Sequence, residues 1–336
     1  MVHVHSTHSD GTGTVAEIAE AAARNAVDVV LLTDHDTLAA RRAGEEGWHG
    51  DVLVLVGEEV TPKDRDHYLV FGLDREVSRN QPAAGIVSDV SSRGGFGFAA
   101  HPFSQGSPRF RRIRGMPWTD FDCEGIEGVE VWSFVTDGGE KLESLADVAR
   151  FIAQPERMLD HPPARNLAEW DRLCQLRRVV GIAGIDAHQI GIRVRGRVPL
   201  RLMSYTRSFR HLRTHVLCEE ALNGQFEHDR DQVLDALRSG RCYMSVDSLA
   251  PPRGFTFSAG ELPMGSEAAF EGQTLTALAP WPARLRLIKD GRVLAERKDS
   301  HLEHEASEAG VYRIEVRLAA GRRERTWILS NPVYLR

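Results

Sequence analysis

The sequence predicts an α/β fold, a β/α barrel of about seven units followed by a small antiparallel β-sandwich. Three observations carry that expectation. From the start to about residue 190, short runs rich in Val, Ile and Leu alternate with longer helical patterns, which is the signature of repeated βα units and a largely parallel sheet. Most of these runs lack strict alternation of apolar and polar residues, as strands covered on both faces do. Beyond about residue 247 the pattern changes, because Pro251, Pro252, Gly254 and Gly260 break the chain and later segments read as strands joined by turns. A barrel over residues 1–246 and a sandwich over 247–336 are therefore expected. A chain of 336 residues suits such a division better than one compact unit.

Taken in order, the strand candidates of the barrel are residues 2–6, 28–34, 52–60, 68–72, 97–100, 128–133 and 179–185. The first helix is marked by Thr14 as N-cap and Glu17 three residues on, a capping box, with Ile18, Ala21 and Ala22 on its apolar face and an end near Asn25. A second clear helix spans 231–239, with Val233, Leu234 and Leu237 inward and Gly240 placed for a left-handed cap. In the sandwich, 285–289 and 292–295 flank Asp290-Gly291, a dipeptide suited to a type I′ hairpin turn, and 312–318 and 327–329 extend the strand series.

Composition narrows the function classes. The net charge of −6 argues against a broad electrostatic footprint for duplex nucleic acid and favours a small substrate. Cys123, Cys174, Cys218 and Cys242 show no C-x-x-C spacing, so neither a zinc knuckle nor a disulfide framework is indicated. No apolar run approaches the roughly 20 residues needed to cross a bilayer, and the N-terminus is polar, so no membrane partner and a cytoplasmic location are expected.

Histidines and carboxylates coincide with the ends of the predicted strands, where catalytic groups converge in α/β barrels. His3 and His5 are two apart on an extended segment and point to one face. Asp10 follows in the loop. The next strand ends Thr33-Asp34-His35-Asp36-Thr37, the third ends Gly57-Glu58-Glu59-Val60, and the fifth runs into Ala100-His101-Pro102. His67 opens the short apolar segment after the third, and Asp186-Ala187-His188 closes the seventh. These are nine candidate ligands in one layer: His3, His5, Asp10, His35, Glu59, His67, His101, Asp186 and His188. One ion takes three or four protein ligands, so nine suit about three ions. His8, His49, His161, His211, His215, His228, His301 and His304 lack that placement and read as surface or core residues.

With these motifs in order, the chain resembles the PHP family, the polymerase and histidinol phosphatase group of metal-dependent phosphoesterases. The resemblance rests on His3-Val4-His5-Ser6, Ser9-Asp10-Gly11, Thr33-Asp34-His35-Asp36-Thr37, Glu59, His101-Pro102 and Gly184-Ile185-Asp186-Ala187-His188. It covers about residues 1–246 and implies a distorted seven-stranded barrel with a trinuclear site for zinc, manganese or iron. It implies that His3, His5, Glu59 and Asp186 hold one ion, Glu59, His67 and His101 a second, and Asp10, His35 and His188 a third. Glu59 and Asp186 would serve catalysis, and Asp34 would act as the acceptor that orients a ligand histidine. Glu58 and Glu130 read as supporting groups. The C-terminal stretch, with Gly310-Val311-Tyr312-Arg313 and Ser330-Asn331-Pro332, resembles the β-sandwich of a PHP branch that also includes hydrolases of aryl carbamate esters.

No Ser-His-Asp or Cys-His arrangement stands out, so the expected nucleophile is a hydroxide bridging two ions. Arg109, with Arg111, Arg112 and Arg114 after His101, and Arg193, with Arg195 and Arg197 after His188, are the candidate phosphate contacts. The expected activity is hydrolysis of a small phosphomonoester or phosphodiester, a nucleotide among the candidates. Hydrolysis of a carboxyl or carbamate ester on the same ions is the alternative. A non-enzymatic binding module comes third, because it has no need of nine ligand-type groups.

Overall fold

The computed structural model describes residues 1–111, 113–194, 197–321 and 323–336, and for residues 190–194 and 197–202 the backbone alone. The first sheet is built from β1 (Val2–Val4), β2 (Val29–His35), β3 (Gly47–His49), β4 (Val52–Val60), β5 (Tyr68–Phe71), β6 (Phe96–Ala99), β7 (Gly128–Ser133) and β8 (Val180–Gly184). Seven of these follow one another around the barrel in the order β1-β2-β4-β5-β6-β7-β8, with β3 added outside β4. Neighbours run parallel except at β5, which is antiparallel to both β4 and β6, and at the added β3. The seven-stranded barrel expected from the sequence is present, distorted by that one reversed strand.

Both faces of the strands are apolar, which explains why their sequences do not alternate. Leu31, Leu53, Leu55, Leu69, Phe98 and Ile182 fill the interior below the strand ends, and Val233 and Leu237 plug it from beneath. Val30, Leu32, Val54, Val56, Val70 and Val129 face outward into a larger cluster shared with the surrounding helices. Those helices are α1 (Val15–Ala23), α2 (Ala39–Arg42), α3 (Ala83–Ser92), α4 (Phe134–Glu140), α5 (Leu145–Ala153), α6 (Ala164–Leu176) and α7 (Tyr205–Ser208), whereas α8 (Phe226–Arg238) packs on the interior cluster. The α1 capping box forms as expected: Glu17 N–H donates to Thr14 Oγ1 at 3.2 Å and Thr14 N–H to the Glu17 carboxylate at 3.0 Å. Helix α8 begins at Phe226, five residues before the expected start, because Phe226 also packs on the interior cluster.

The ring closes between β8 and β1 only at its upper, site-bearing end. There Ile185 N–H donates to Val2 O, Ala187 N–H to His3 O and His5 N–H to Ala187 O, at 3.0, 3.2 and 3.0 Å. Lower down, the backbone of β8 is satisfied by side chains. Thr214 Oγ1 lies 2.9 Å from Ala183 N and 2.8 Å from Ala183 O. Asn331 accepts from Gly181 N–H at 2.7 Å and donates to Gly181 O at 2.9 Å. The Tyr334 hydroxyl lies 3.1 Å from both Val179 N and Val179 O.

Those three side chains come from the second sheet. After a hairpin of β9 (Ile190–Val194) and β10 (Arg197–Met203), it comprises β11 (Leu212–Val216), β12 (Cys242–Val246), β13 (Thr256–Ala259), β14 (Leu262–Pro263), β15 (Glu267–Ala268), β16 (Thr274–Lys289), β17 (Arg292–Glu305), β18 (Gly310–Ala320), β19 (Arg323–Ser330) and β20 (Val333–Leu335). The sheet is antiparallel apart from the short β15–β20 pair. It folds over one apolar cluster to which both halves of β16 contribute, Leu275 and Ala277 from one and Leu285 and Leu287 from the other. Asp290 and Gly291 both take positive φ, 49° and 79°, in the hairpin between β16 and β17, as a type I′ turn requires. The pairing of β12 with β19 means that β11 and β12, both before residue 247, belong to this sheet. A buried bidentate ion pair, Arg313 to Asp171 at 2.7 Å for each bond, ties β18 to α6. No helix among the described residues is long and apolar enough to cross a membrane.

Candidate metal centre

The upper ends of the interior faces carry the nine ligand-type groups, continuing above the apolar layer: Thr33 and His35 follow Leu31, and Gly57 and Glu59 follow Leu53 and Leu55. His67 precedes β5, and the reversal of that strand brings its N-terminal end to the rim where the parallel strands end. His3 departs from the extended geometry expected for the H-x-H pair. It has φ of 65° and sits where the register between β1 and β2 shifts. The irregularity lets both histidines face the site although Val4 between them packs into the outer cluster and Val2 into the inner one.

Glu59 is the hub. Its Oε2 lies 3.3 Å from His3 Nε2, 3.4 Å from His5 Nε2 and 3.1 Å from His35 Nδ1, and its Oε1 lies 2.9 Å from His67 Nδ1 and 3.4 Å from His101 Nε2. Asp186 Oδ1 stands 3.5 Å from the Nε2 atoms of His3 and His5 and from His188 Nδ1. On the open side, Asp10 Oδ1 lies 3.1 Å from His188 Nε2 and 3.6 Å from His35 Nε2. Ligand-type atoms from His5, Asp10, His35 and His188 lie within 4.8 Å of one another, as do those of His3, His5 and Asp186 and those of His3, Glu59 and His101.

Burial alone would push the His3 imidazole down, but Glu130, Glu59 and Asp186 together lift it well above its ordinary value. Burial would raise Glu59 and Asp186, yet the histidines around them hold both carboxyls well below the usual range. His5, buried and beside His188, is pushed down to about 4. Carboxylates that stay ionised in a buried cluster demand positive charge. The buried polar atoms without a hydrogen-bond partner include His3 Nε2, both His5 nitrogens, His35 Nδ1, Glu59 Oε2 and His101 Nδ1. Such a concentration of orphaned lone pairs in a native core calls for an explanation, and imidazole and carboxylate donors fit divalent zinc, manganese or iron.

Backbone strain concentrates here as well. His3, His101 and Asp186 all have positive φ, at 65°, 31° and 54°. For residues other than glycine each such conformation costs roughly 1–3 kcal/mol and is held by its surroundings. Gly11, next to Asp10, approaches the His5 carbonyl so closely that a Cβ would fall 2.3 Å from that oxygen.

The other residues named from the sequence fall into place less uniformly. Asp34 does not orient a histidine: its carboxylate accepts from Ser6 N–H and Ser6 Oγ at 2.7 Å each and from Ser9 Oγ at 2.6 Å, pinning the loop between β1 and α1. The role expected of it is filled by Glu130, whose Oε1 lies 3.2 Å from His3 Nδ1. Glu58 faces away and accepts from Val77 N–H, with burial pushing its carboxyl up to about 7. Arg109 is exposed and stands outside the lining of the cavity above the site, whereas Arg114 from the same basic run lines it. Arg112 and Arg195 lie outside the described residues, as do the side chains of Arg193 and Arg197.

That cavity, about 360 Å³, is also lined by Ser104, Ile113, Met116, Val135 and Thr136. None of these was singled out in the sequence, because they sit on loops whose approach to the site no periodicity encodes. A larger open cleft of about 480 Å³ lies beside the start of β8, but it gathers Arg178, Glu219, Arg241 and Glu267 and no histidine. Tyr205 donates to His5 O at 2.6 Å and fixes the backbone of that residue from behind.

No family model matches the chain. Over 79 residues it is 42% identical to a phosphoribosyl 1,2-cyclic phosphate 1,2-diphosphodiesterase from Eggerthella lenta, a match covering 22% of this chain and 30% of that protein. The chain thus spans about a third of the length of that curated relative. Among solved structures it is similar to a two-domain protein from Bacteroides vulgatus, described as containing a PHP-like metal-dependent phosphoesterase. The two are 14% identical with a TM-score of 0.46, over 98% of this chain and 93% of that one. A protein from Bifidobacterium adolescentis described as a metal-dependent phosphoesterase is 18% identical with a TM-score of 0.32, over 59% and 88% of the two chains. Both of these solved structures are described as metal-dependent phosphoesterases, the first of them as PHP-like.

Proposed function

We propose that the chain is a metal-dependent phosphoesterase that hydrolyses a small phosphomonoester or phosphodiester, a nucleotide among the candidates, on a site for three divalent ions. The observation that carries the reading is the convergence of six imidazoles on the carboxylates of Glu59, Asp186 and Asp10, with buried atoms of His3, His5, His35, Glu59 and His101 left without a hydrogen-bond partner. His3, His5, Glu59 and Asp186 would hold one ion, Glu59, His67 and His101 a second, and Asp10, His35 and His188 a third. Once bound, such ions supply Lewis acidity and lower the pKa of water from 15.7 towards about 7.

The chain's own residues do the rest. Glu59 faces five histidines and remains ionised, so it keeps the donor set together without consuming a proton. Thr136 Oγ donates to Asp186 Oδ2 at 3.2 Å and fixes the orientation of that carboxylate. Asp34, through Ser6 and Ser9, holds the loop that delivers Asp10. Arg114 brings a guanidinium to the cavity wall, where its planar fork suits a phosphate.

One observation favours the alternative, a carboxyl or carbamate ester. Arg114 is already paired with Asp64 at 3.1 Å, and the other residues lining the wall outside the donor set carry no charge. A neutral ester would need no guanidinium. Elemental analysis of the purified protein, followed by parallel assays on aryl phosphomonoester, phosphodiester, carboxyl ester and carbamate with Mn²⁺, Fe²⁺ or Zn²⁺, separates the two. Turnover of the phosphate esters with two or more ions per chain is expected. Turnover of carbonyl esters alone would transfer the function to the second reading.

A further inference from the structure

We infer that Glu130 is a positioning residue for the donor set, acting on two ligands at once and itself contributing no ligand atom. The inference rests on the metal-site reading above. Glu130 lies in the middle of β7, in a strand whose every residue is buried, and is itself fully buried. Such a carboxylate persists only where partners satisfy it. Its Oε1 and Oε2 lie 3.2 and 3.4 Å from His3 Nδ1, and Oε2 accepts the backbone N–H of His101 at 2.6 Å.

Both partners matter for geometry. Fixing the proton of His3 on Nδ1 leaves the Nε2 lone pair free, and Nε2 is the atom that stands by Glu59 and Asp186. The His101 peptide is one of the left-handed backbones at the rim, so the bond to its N–H holds a strained residue in place. Glu130 therefore joins His3 of β1 to His101 after β6 from a third strand.

The sequence makes room for this carboxylate. At Gly184, across the β7–β8 pair, a Cβ would fall 1.8 Å from Glu130 Oε1 and 3.1 Å from His3 Cβ. Gly184 does not need its backbone freedom, since it is not among the glycines with positive φ. What excludes a side chain there is the Glu130 carboxylate itself.

The test uses the full chain with Zn²⁺ as the probe, in three variants: Glu130→Gln, Glu130→Leu and Gly184→Ala. Zinc affinity is read by chelator competition. The imidazole N–H of His3 is read in zinc-loaded, histidine-labelled protein by ¹H–¹⁵N spectroscopy. Glu130→Leu and Gly184→Ala are expected to weaken zinc binding by about 10- to 100-fold and to shift or abolish the His3 Nδ1–H signal. Glu130→Gln, which keeps one acceptor oxygen, should recover most of the affinity.

A purely structural carboxylate would lower unfolding resistance and leave both readouts unchanged in the folded variants, and that result would overturn the inference. If Glu130→Leu does not fold, Gly184→Ala against Glu130→Gln decides by the same criteria. Absence of zinc binding in the unmodified protein would instead overturn the metal-site reading, and is told apart because it appears before any substitution.

Discussion

Replacing Asn331 by alanine should destabilise the protein far more than the loss of one surface amide would. The side chain is 1% exposed. Its carboxamide accepts from Gly181 N–H at 2.7 Å and donates to Gly181 O and Cys242 O at 2.9 Å each. In the variant, Gly181 loses partners for both its donor and its acceptor, while Cys242 O keeps only the longer bond from Asn331 N–H at 3.4 Å. A buried polar group left unsatisfied costs roughly 1–3 kcal/mol. Two such groups on Gly181 therefore set an expected loss of about 2–6 kcal/mol. Asn331→Leu, which fills similar space without any of the three bonds, should lose a comparable amount, separating the hydrogen bonds from the cavity. Urea unfolding followed by far-ultraviolet circular dichroism measures the loss, and amide hydrogen exchange at Gly181 locates it. A loss below about 1 kcal/mol in both variants, with Gly181 still protected, would refute the view that side chains of the second sheet stand in for a missing strand partner.

Three other outcomes are expected. His35→Ala and Asp186→Ala should each lower both bound metal and hydrolysis, by at least tenfold in turnover; metal content equal to the parent's in the double variant would contradict the site. Arg114→Ala should raise KM for phosphorylated substrates several-fold with little change in kcat, whereas Arg109→Ala should leave both within twofold, as steady-state kinetics on one phosphomonoester will show. The third concerns pH. Burial, aided by Glu140 and Glu130, pushes the Asp137 carboxyl from 3.8 up to about 7, so the folded chain keeps a proton that the unfolded chain loses. Its stabilising contribution is full below about pH 4 and is lost as pH rises towards 7, a change of about 4 kcal/mol at roughly 1.4 kcal/mol per unit. Asp137→Asn should remove that slope. Unfolding of parent and variant in chelator at pH 4.5 and 7.5 measures it, and parallel stability curves for the two would contradict it.

The strands and the cluster of histidines and carboxylates at their ends were legible because burial and chemistry left them plain in the residues. Runs such as 52–60 are apolar on both faces, and His35, Glu59, His101 and Asp186 fall where those runs stop. What was not legible depends on contacts between distant segments. The positive φ of His3 follows from a register shift against β2 that H-x-H spacing does not encode. Asp34 and Glu130 are equally buried carboxylates at strand positions, and only the fold decides that one meets two serines and the other a histidine. In the basic run after His101, four arginines look alike, yet only the turn of the loop brings Arg114 to the cavity. The change of pattern at residue 247 marks where proline and glycine begin to break the chain, and β11 and β12 join the second sheet from before that point through pairing with β19.

The seam along β8 also has a consequence for how the chain is made. Gly181 and Asn331 are 150 residues apart. At translation rates of about 5–20 residues per second, the barrel's last strand waits on the order of 10–30 s for the side chain that completes it. During that interval its edge offers unpaired N–H and C=O groups, the kind of surface that recruits foreign strands. A chain stopped at residue 330 should accordingly self-associate or stay bound to chaperones, and a monodisperse product by analytical ultracentrifugation would show that the edge is protected in some other way. Synthesis of the barrel is thus not the end of its folding, which is finished by residues that emerge long after its histidines and carboxylates.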